Sequence, residues 1–120
     1  MPPAELTYPK RVSLEPNEIR DLFEDFQGYA ELVPIGSTGQ SGEPGEGQTI
    51  SSQTAVLTAI DPPSPSNPAT LGSATVSGTK IFATITVPLS TVAATYQVRF
   101  TAITNLGKQL SRKLIVDVRV

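Results

Sequence analysis

The sequence predicts an all-β fold, a small antiparallel β-sandwich with an extended N-terminal arm and a Gly-rich insertion loop. Three observations carry this. From Ser77 to Val120, apolar and polar residues alternate almost strictly, the period of half-buried strands. The alternating runs are broken at Ser77-Gly78 and Asn105-Leu106-Gly107, which supply the positive-φ positions that short hairpins need. The chain has 120 residues with no Trp and no Cys, so it holds one core, built from Val, Ile and Leu with Phe and Tyr as anchors.

Residues 1–14 contain Pro2, Pro3 and Pro9 and few apolar groups, and are expected to form an arm that reaches outside the sandwich to a neighbouring chain. The domain itself is expected over 15–120. Within 15–33 two periods coexist. Ile19, Leu22, Phe23, Phe26 and Tyr29 fall at helical spacing, with Asn17 as a cap and Gly28 as a stop. Leu22, Glu24 and Phe26 set against Phe23 and Asp25 describe a short strand instead. Local period favours the helix.

Residues 34–48 read as a loop, with Gly36, Gly39, Gly42 and Gly45 at a spacing of three and Pro44 between them. Four Gly-x-y triplets are too few for a triple helix to offset chain ordering, so an ordinary loop ordered by assembly is expected, though a trimer axis would bring three copies together. Its Ser, Thr, Gln and Glu side chains offer no hydrophobic anchor, so any order in it is expected to come from another subunit, through backbone hydrogen bonds that Gly allows by close approach. Thr49–Ile60 is a strand rich in Thr, Val and Ile. Asp61–Ala69, with four prolines in nine residues, is a surface connection. Thr70–Val76 is a short strand that pairs through Ser77-Gly78 with 79–87, followed by strands at 96–102 and 109–120. The predicted core comprises Ile81, Ile85, Val98, Phe100, Leu114, Val116 and Val118. Tyr96 is either a tyrosine corner, its hydroxyl bonded to upstream backbone, or a plain core aromatic.

The chemistry is sparse. His and Cys are absent, which removes His-based proton transfer, Cys nucleophiles and nearly all zinc sites. Asp21, Glu24 and Asp25 are the one carboxylate cluster, but neither a Ca²⁺ loop nor an aromatic-lined cleft surrounds them. The Gly-rich loop lacks the Lys-Ser/Thr ending of a phosphate cradle. The expectation is a non-enzymatic binding or building module with no cofactor and no metal. The N-terminus shows neither a basic start nor an apolar run, and no stretch approaches a membrane span, so no export signal and no membrane partner are expected.

Charge is uneven. Residues 1–60 hold nine acids against three bases, and residues 61–120 hold two acids against six bases. Such asymmetry steers unlike faces together, or is merely solvated. Six scattered bases are too few to argue for nucleic acid.

The stretches Gly47-Gln48-Thr49-Ile50-Ser51-Ser52, Ser77-Gly78, Ala94-Thr95-Tyr96-Gln97-Val98 and Thr101-Ala102-Ile103-Thr104-Asn105-Leu106-Gly107-Lys108, with the alternating strand that follows, resemble the small Ig-like virion proteins of tailed bacteriophages. These serve as fibre–tail adaptors, and similar domains decorate heads. Glu15-Pro16-Asn17 and Asp21-Leu22-Phe23-Glu24-Asp25-Phe26 resemble the family's amino-terminal pattern more loosely. The likeness spans about residues 15–120, interrupted at 34–46. Gln48 stands where the family has an acid, Ala93-Ala94 where Gly is usual, and Lys108 where Arg is usual. These are turn and strand signatures, not those of an active site. They move the reading of 19–27 towards a strand and leave both conformations open.

The resemblance implies an Ig-like sandwich located in the virion and made in the host cytoplasm. It implies a role as a neck or tail adaptor linking a ring component to fibres, or as a cement protein on the capsid lattice. Partners would be other virion proteins (portal, neck and tail proteins, or the major capsid protein), and a homo-oligomer is expected in the particle. A carbohydrate-binding adhesive module is the reading from another class, disfavoured by the scarcity of aromatic platforms. Partner-binding candidates are Tyr8, Lys10 and Arg11 on the arm and Gly36, Gly39, Gly42 and Gly45 on the loop.

Overall fold

A computed structural model describes residues 10–39 and 42–120, and these form two β-sheets packed face to face. The strands are β1 (Lys10–Leu14), β2 (Ile19–Asp25), β3 (Ile50–Asp61), β4 (Thr70–Leu71), β5 (Thr75–Ser77), β6 (Lys80–Thr86), β7 (Ala94–Thr104) and β8 (Gln109–Val118). One sheet has the order β1-β8-β7-β3. The other has the order β2-β6-β4, with β5 also pairing β6. No α-helix occurs among the described residues; a 3₁₀ turn at Ala30–Leu32 is the one helical element there.

The alternation in the second half forms the core as expected. Ile81, Ile85, Val98, Phe100, Leu114, Val116 and Val118 are all buried, and Phe100 is 0% exposed. Burying each such side chain contributes about 1.5–3 kcal/mol. Gly78 and Gly107 adopt φ of +62° and +83° in the two hairpins that their sequences announce. Gly107 N–H donates to Thr104 O and closes the β7–β8 turn.

Within 19–27 the chain is strand, not helix, over Ile19–Asp25. Ile19–Asp25 pairs antiparallel with β6 along its whole length, from Ile19 opposite Thr86 to Asp25 opposite Lys80. Leu22, Glu24 and Phe26 face inward while Phe23 stays partly exposed. A charged residue at an inward position hid the period of two. Asn17 caps no helix; its φ of +68° turns the chain between β1 and β2.

The expected boundary between arm and domain also moves. Lys10–Leu14 is not an external arm but a strand of the sandwich, parallel to β8 from Lys10 opposite Leu114 to Leu14 opposite Val118. Leu14 is 1% exposed and belongs to the core cluster. Three of the five residues in β1 are polar, so only Val12 and Leu14, which pack on the core, betray the strand. The rest of the expected arm, Tyr8 included, lies outside the described residues. The segment 70–76 is divided: Gly72–Ala74 separates β4 from β5, and both short strands pair β6.

Tyr96 is a buried core aromatic whose hydroxyl accepts the amide N–H of Ala69 at 3.0 Å. The bond does reach upstream backbone. It ties β7 to the end of the proline-rich connection, where the Asn67 side chain also donates to Ser90 O.

Candidate functional site: a loop platform on a buried ion cluster

The connection between β2 and β3 runs from Phe26 to Thr49 and stands at the same end of the sandwich as the β7–β8 hairpin. Two hydrogen bonds join them: Thr49 N–H donates to Asn105 Oδ1 at 3.0 Å, and Asn105 N–H donates to Thr49 O at 2.9 Å. Phe26 N–H donates to Thr79 O, bringing the β5–β6 turn to the same end.

The base of this platform is charged and buried. Glu24, on the inward face of β2, is 7% exposed, and Arg112, on the inward face of β8, is 8% exposed. Glu24 Oε1 lies 4.0 Å from Arg112 Nη1, and Glu24 Oε2 lies 3.3 Å from Lys10 Nζ. The Arg112 guanidinium stacks near the rings of Phe26 and Tyr29, 5.8 and 5.3 Å from their centroids. Those two rings stack on each other at 5.8 Å. Tyr29 then donates its hydroxyl to Ser111 O at 3.0 Å. A delocalised guanidinium suits both the carboxylate and the ring faces, which an ammonium at this place would not. The ion pair thus fixes Phe26 and Tyr29, and these fix the 3₁₀ turn that follows.

The Gly-rich loop is fastened to that turn by main-chain bonds. Glu46 N–H donates to Ala30 O at 3.0 Å, Gly47 N–H to Val33 O at 2.8 Å and Gln48 N–H to Glu31 O at 2.7 Å. Within the loop, Gly45 N–H donates to Ser37 O and Gly39 N–H to Glu43 O, with Thr38 bridged to Pro44. Its order in the described residues therefore comes from its own chain, which corrects the expectation that a second subunit must supply it. Close backbone approach through Gly was the expected means, and it operates here within one chain. A Cβ on Gly45 would overlap Pro34 O and stand 2.7 Å from Val33 O, so no side chain fits. Gly36 and Gly42 serve differently: each has positive φ and open space around it.

The four glycines therefore share one platform. Lys10 and Arg11 do not join them. Lys10 turns towards β2, donating to Phe23 O at 3.0 Å and pairing with Glu24, while Arg11 pairs with Asp117 at 2.7 Å near the far end of β8. Tyr8 lies outside the described residues. The carboxylates Asp21 and Asp25 face away from Glu24: Asp21 accepts from Thr84 Oγ1 at 2.6 Å and Asp25 from Thr79 Oγ1 at 2.7 Å.

At the solvent side the platform presents apolar tips. Ile35 is 81% exposed, and Leu106 on the adjoining hairpin is 70% exposed. An open cleft of about 520 Å³ runs between Gln27-Gly28 and Ser37–Gly39, floored by Leu32 and Val33. Sequence reasoning missed the Glu24–Arg112 base and the Ile35 tip. The signal for the base was present: Arg112 occupies an inward position of a strictly alternating strand, which calls for a buried anion.

No family model and no curated protein matches this sequence. Among solved structures, the chain aligns with a nucleoside hydrolase-related hypothetical protein from Saccharophagus degradans that is associated with carbohydrate metabolism. The identity is 8% and the TM-score 0.44. The alignment covers 92% of this chain and 22% of that one, so the chain spans under a quarter of that protein's length. At such a score the likeness carries no argument about function.

Proposed function

We propose that this chain is a non-enzymatic, Ig-like structural protein of a bacteriophage virion, an adaptor in the neck or tail that links a ring component to fibres. In this reading it grips its neighbour through the loop platform. The strand orders support the Ig-like arrangement: a β2-β6-β4 sheet faces a β1-β8-β7-β3 sheet, and β1 lies parallel to the last strand. In Ig variable domains the B–C, C′–C″ and F–G loops cluster at one end and carry binding. Here the β2–β3 connection and the β7–β8 hairpin share an end. The sequence likeness to small Ig-like virion proteins supplies the biological setting.

One observation carries the docking role. The platform is stapled to the core by backbone bonds and a buried ion cluster, yet it holds Ile35 and Leu106 out in solvent. Apolar groups held on a fixed backbone bind at low entropic cost, because little remains to be ordered on contact. A fold does not specify a task, so location decides between roles. Electron cryomicroscopy of purified particles, with the protein labelled by a small tag after Val120, tests the reading. A ring of copies at one vertex is expected for the adaptor. A lattice of copies over the head would assign the cement role, and absence from particles would overturn the virion reading altogether.

A further inference from the structure

We propose that β3 is a self-pairing edge: a second copy of this chain docks on it antiparallel, β3 against β3, about a twofold axis at Val56. The inference rests on the sheet edge and stands independently of the virion reading.

Among the described residues, β3 pairs with β7 on one side and with no strand on the other. At twelve residues it is also the longest strand described. Unpaired edge strands recruit other strands unless they are blunted by charge, proline, bulges or brevity. The other three edges are blunted. β1 is five residues long and begins Lys10-Arg11, β2 carries Arg20, Asp21, Glu24 and Asp25, and β4 and β5 have two and three residues. β3 has no charge, no proline and no glycine from Ile50 to Ile60, and it is long. Its register irregularities fall only between Ile50 and Ser52 and between Ala59 and Asp61. They leave Gln53–Ala59 regular, with Val56 at the centre.

The composition selects the occupant. An uncharged strand meets an identical copy without like-charge repulsion, whereas a charged partner strand finds no complement on it. Antiparallel pairing centred on Val56 sets Val56 against Val56 of the second copy and Thr54 against Thr58, pairs that favour a sheet. Val56 is 55% exposed and faces outward, so it is available for this contact. The nearest charge on that face is Arg99, which lies opposite Val56 on β7. Across the axis the two Arg99 residues stand three strand spacings apart, about 14 Å, beyond the screening length of about 8 Å at physiological salt. A head-to-tail contact of β3 on β1 would propagate an open filament, while pairing about a twofold axis closes as a dimer.

The chain has no cysteine, which makes cross-linking unambiguous. Sedimentation velocity of the full chain from about 1 to 500 µM is expected to show a concentration-dependent dimer, and Val56→Lys to weaken it at least tenfold with an unchanged monomer melting curve. Under mild oxidation, Val56→Cys is expected to form a disulfide dimer much faster than Lys113→Cys, which lies two strands inside the sheet. An equimolar mixture of Thr54→Cys and Thr58→Cys is expected to cross-link faster than either alone, which fixes the antiparallel register. A monomer throughout this range, cross-linking no faster at Val56 than at Lys113, would overturn the proposal, as would a dimer indifferent to Val56→Lys.

Discussion

Glu24 and Arg112 face each other across the two sheets, 4.0 Å apart and both more than nine-tenths buried, at the point where the loop platform meets the core. Burying two charges costs several kcal/mol each, which their attraction offsets only when other groups satisfy them. Here Lys10 Nζ shares the carboxylate, and the Phe26 and Tyr29 rings cover the guanidinium. The pair orients a loop more than it strengthens a core.

Arg112→Ala is therefore expected to destabilise the domain by about 3 kcal/mol, the low end for breaking a buried pair, because Lys10 remains beside Glu24. Replacing both residues, Glu24→Met with Arg112→Met, should cost much less than the two single changes added together. Urea denaturation of the four proteins measures this coupling. Strict additivity would show that the two charges do not act as a pair.

Leu14→Ala tests whether β1 belongs to the sandwich. Truncating a Leu at this depth costs about 2–5 kcal/mol. Thermal melting should show a clear loss, and a change within experimental error would return residues 10–14 to an external arm.

Tyr96→Phe removes the acceptor for the Ala69 amide and keeps the ring. A buried donor left without its partner costs about 1–3 kcal/mol. Hydrogen exchange should report the loss first at Ala69, with β7 itself still protected.

The loop glycines should divide by mechanism. Gly42→Ala meets open space but a φ of +82°, a strain of about 1–2 kcal/mol. Gly45→Ala meets the carbonyls of Val33 and Pro34 and must displace backbone, at about 1–3 kcal/mol, typical of overpacking. Only the second change should raise exchange at Gly47 and Gln48, whose amides bond Val33 and Glu31.

Strands β6, β7 and β8 were legible because each buries one face of an alternating run, and their turns carry Gly78 and Gly107 where positive φ is required. β2 was ambiguous because Glu24 occupies an inward position that Lys10 and Arg112, 14 and 88 positions away along the chain, make tolerable. β1 was unreadable for a similar reason. Its partner is β8, at the other end of the sequence, and two alternating apolar residues, Val12 and Leu14, are too short a period to mark a strand. The loop glycines signalled close approach, but sequence does not say which backbone is approached. The carbonyls of Val33 and Pro34 become neighbours of Gly45 only in the folded chain, where the loop bonds back to the 3₁₀ turn.

The docking role of the platform is tested most directly at its tip. Ile35 is held in solvent and should contribute nothing to the stability of the isolated domain. Ile35→Asp places a charge where an apolar contact is proposed, and the measurement is the copy number of the variant per purified particle, compared with that of the unaltered protein. The account predicts an unchanged melting curve and at least a tenfold loss of incorporation. Wild-type incorporation of a folded Ile35→Asp protein would contradict it.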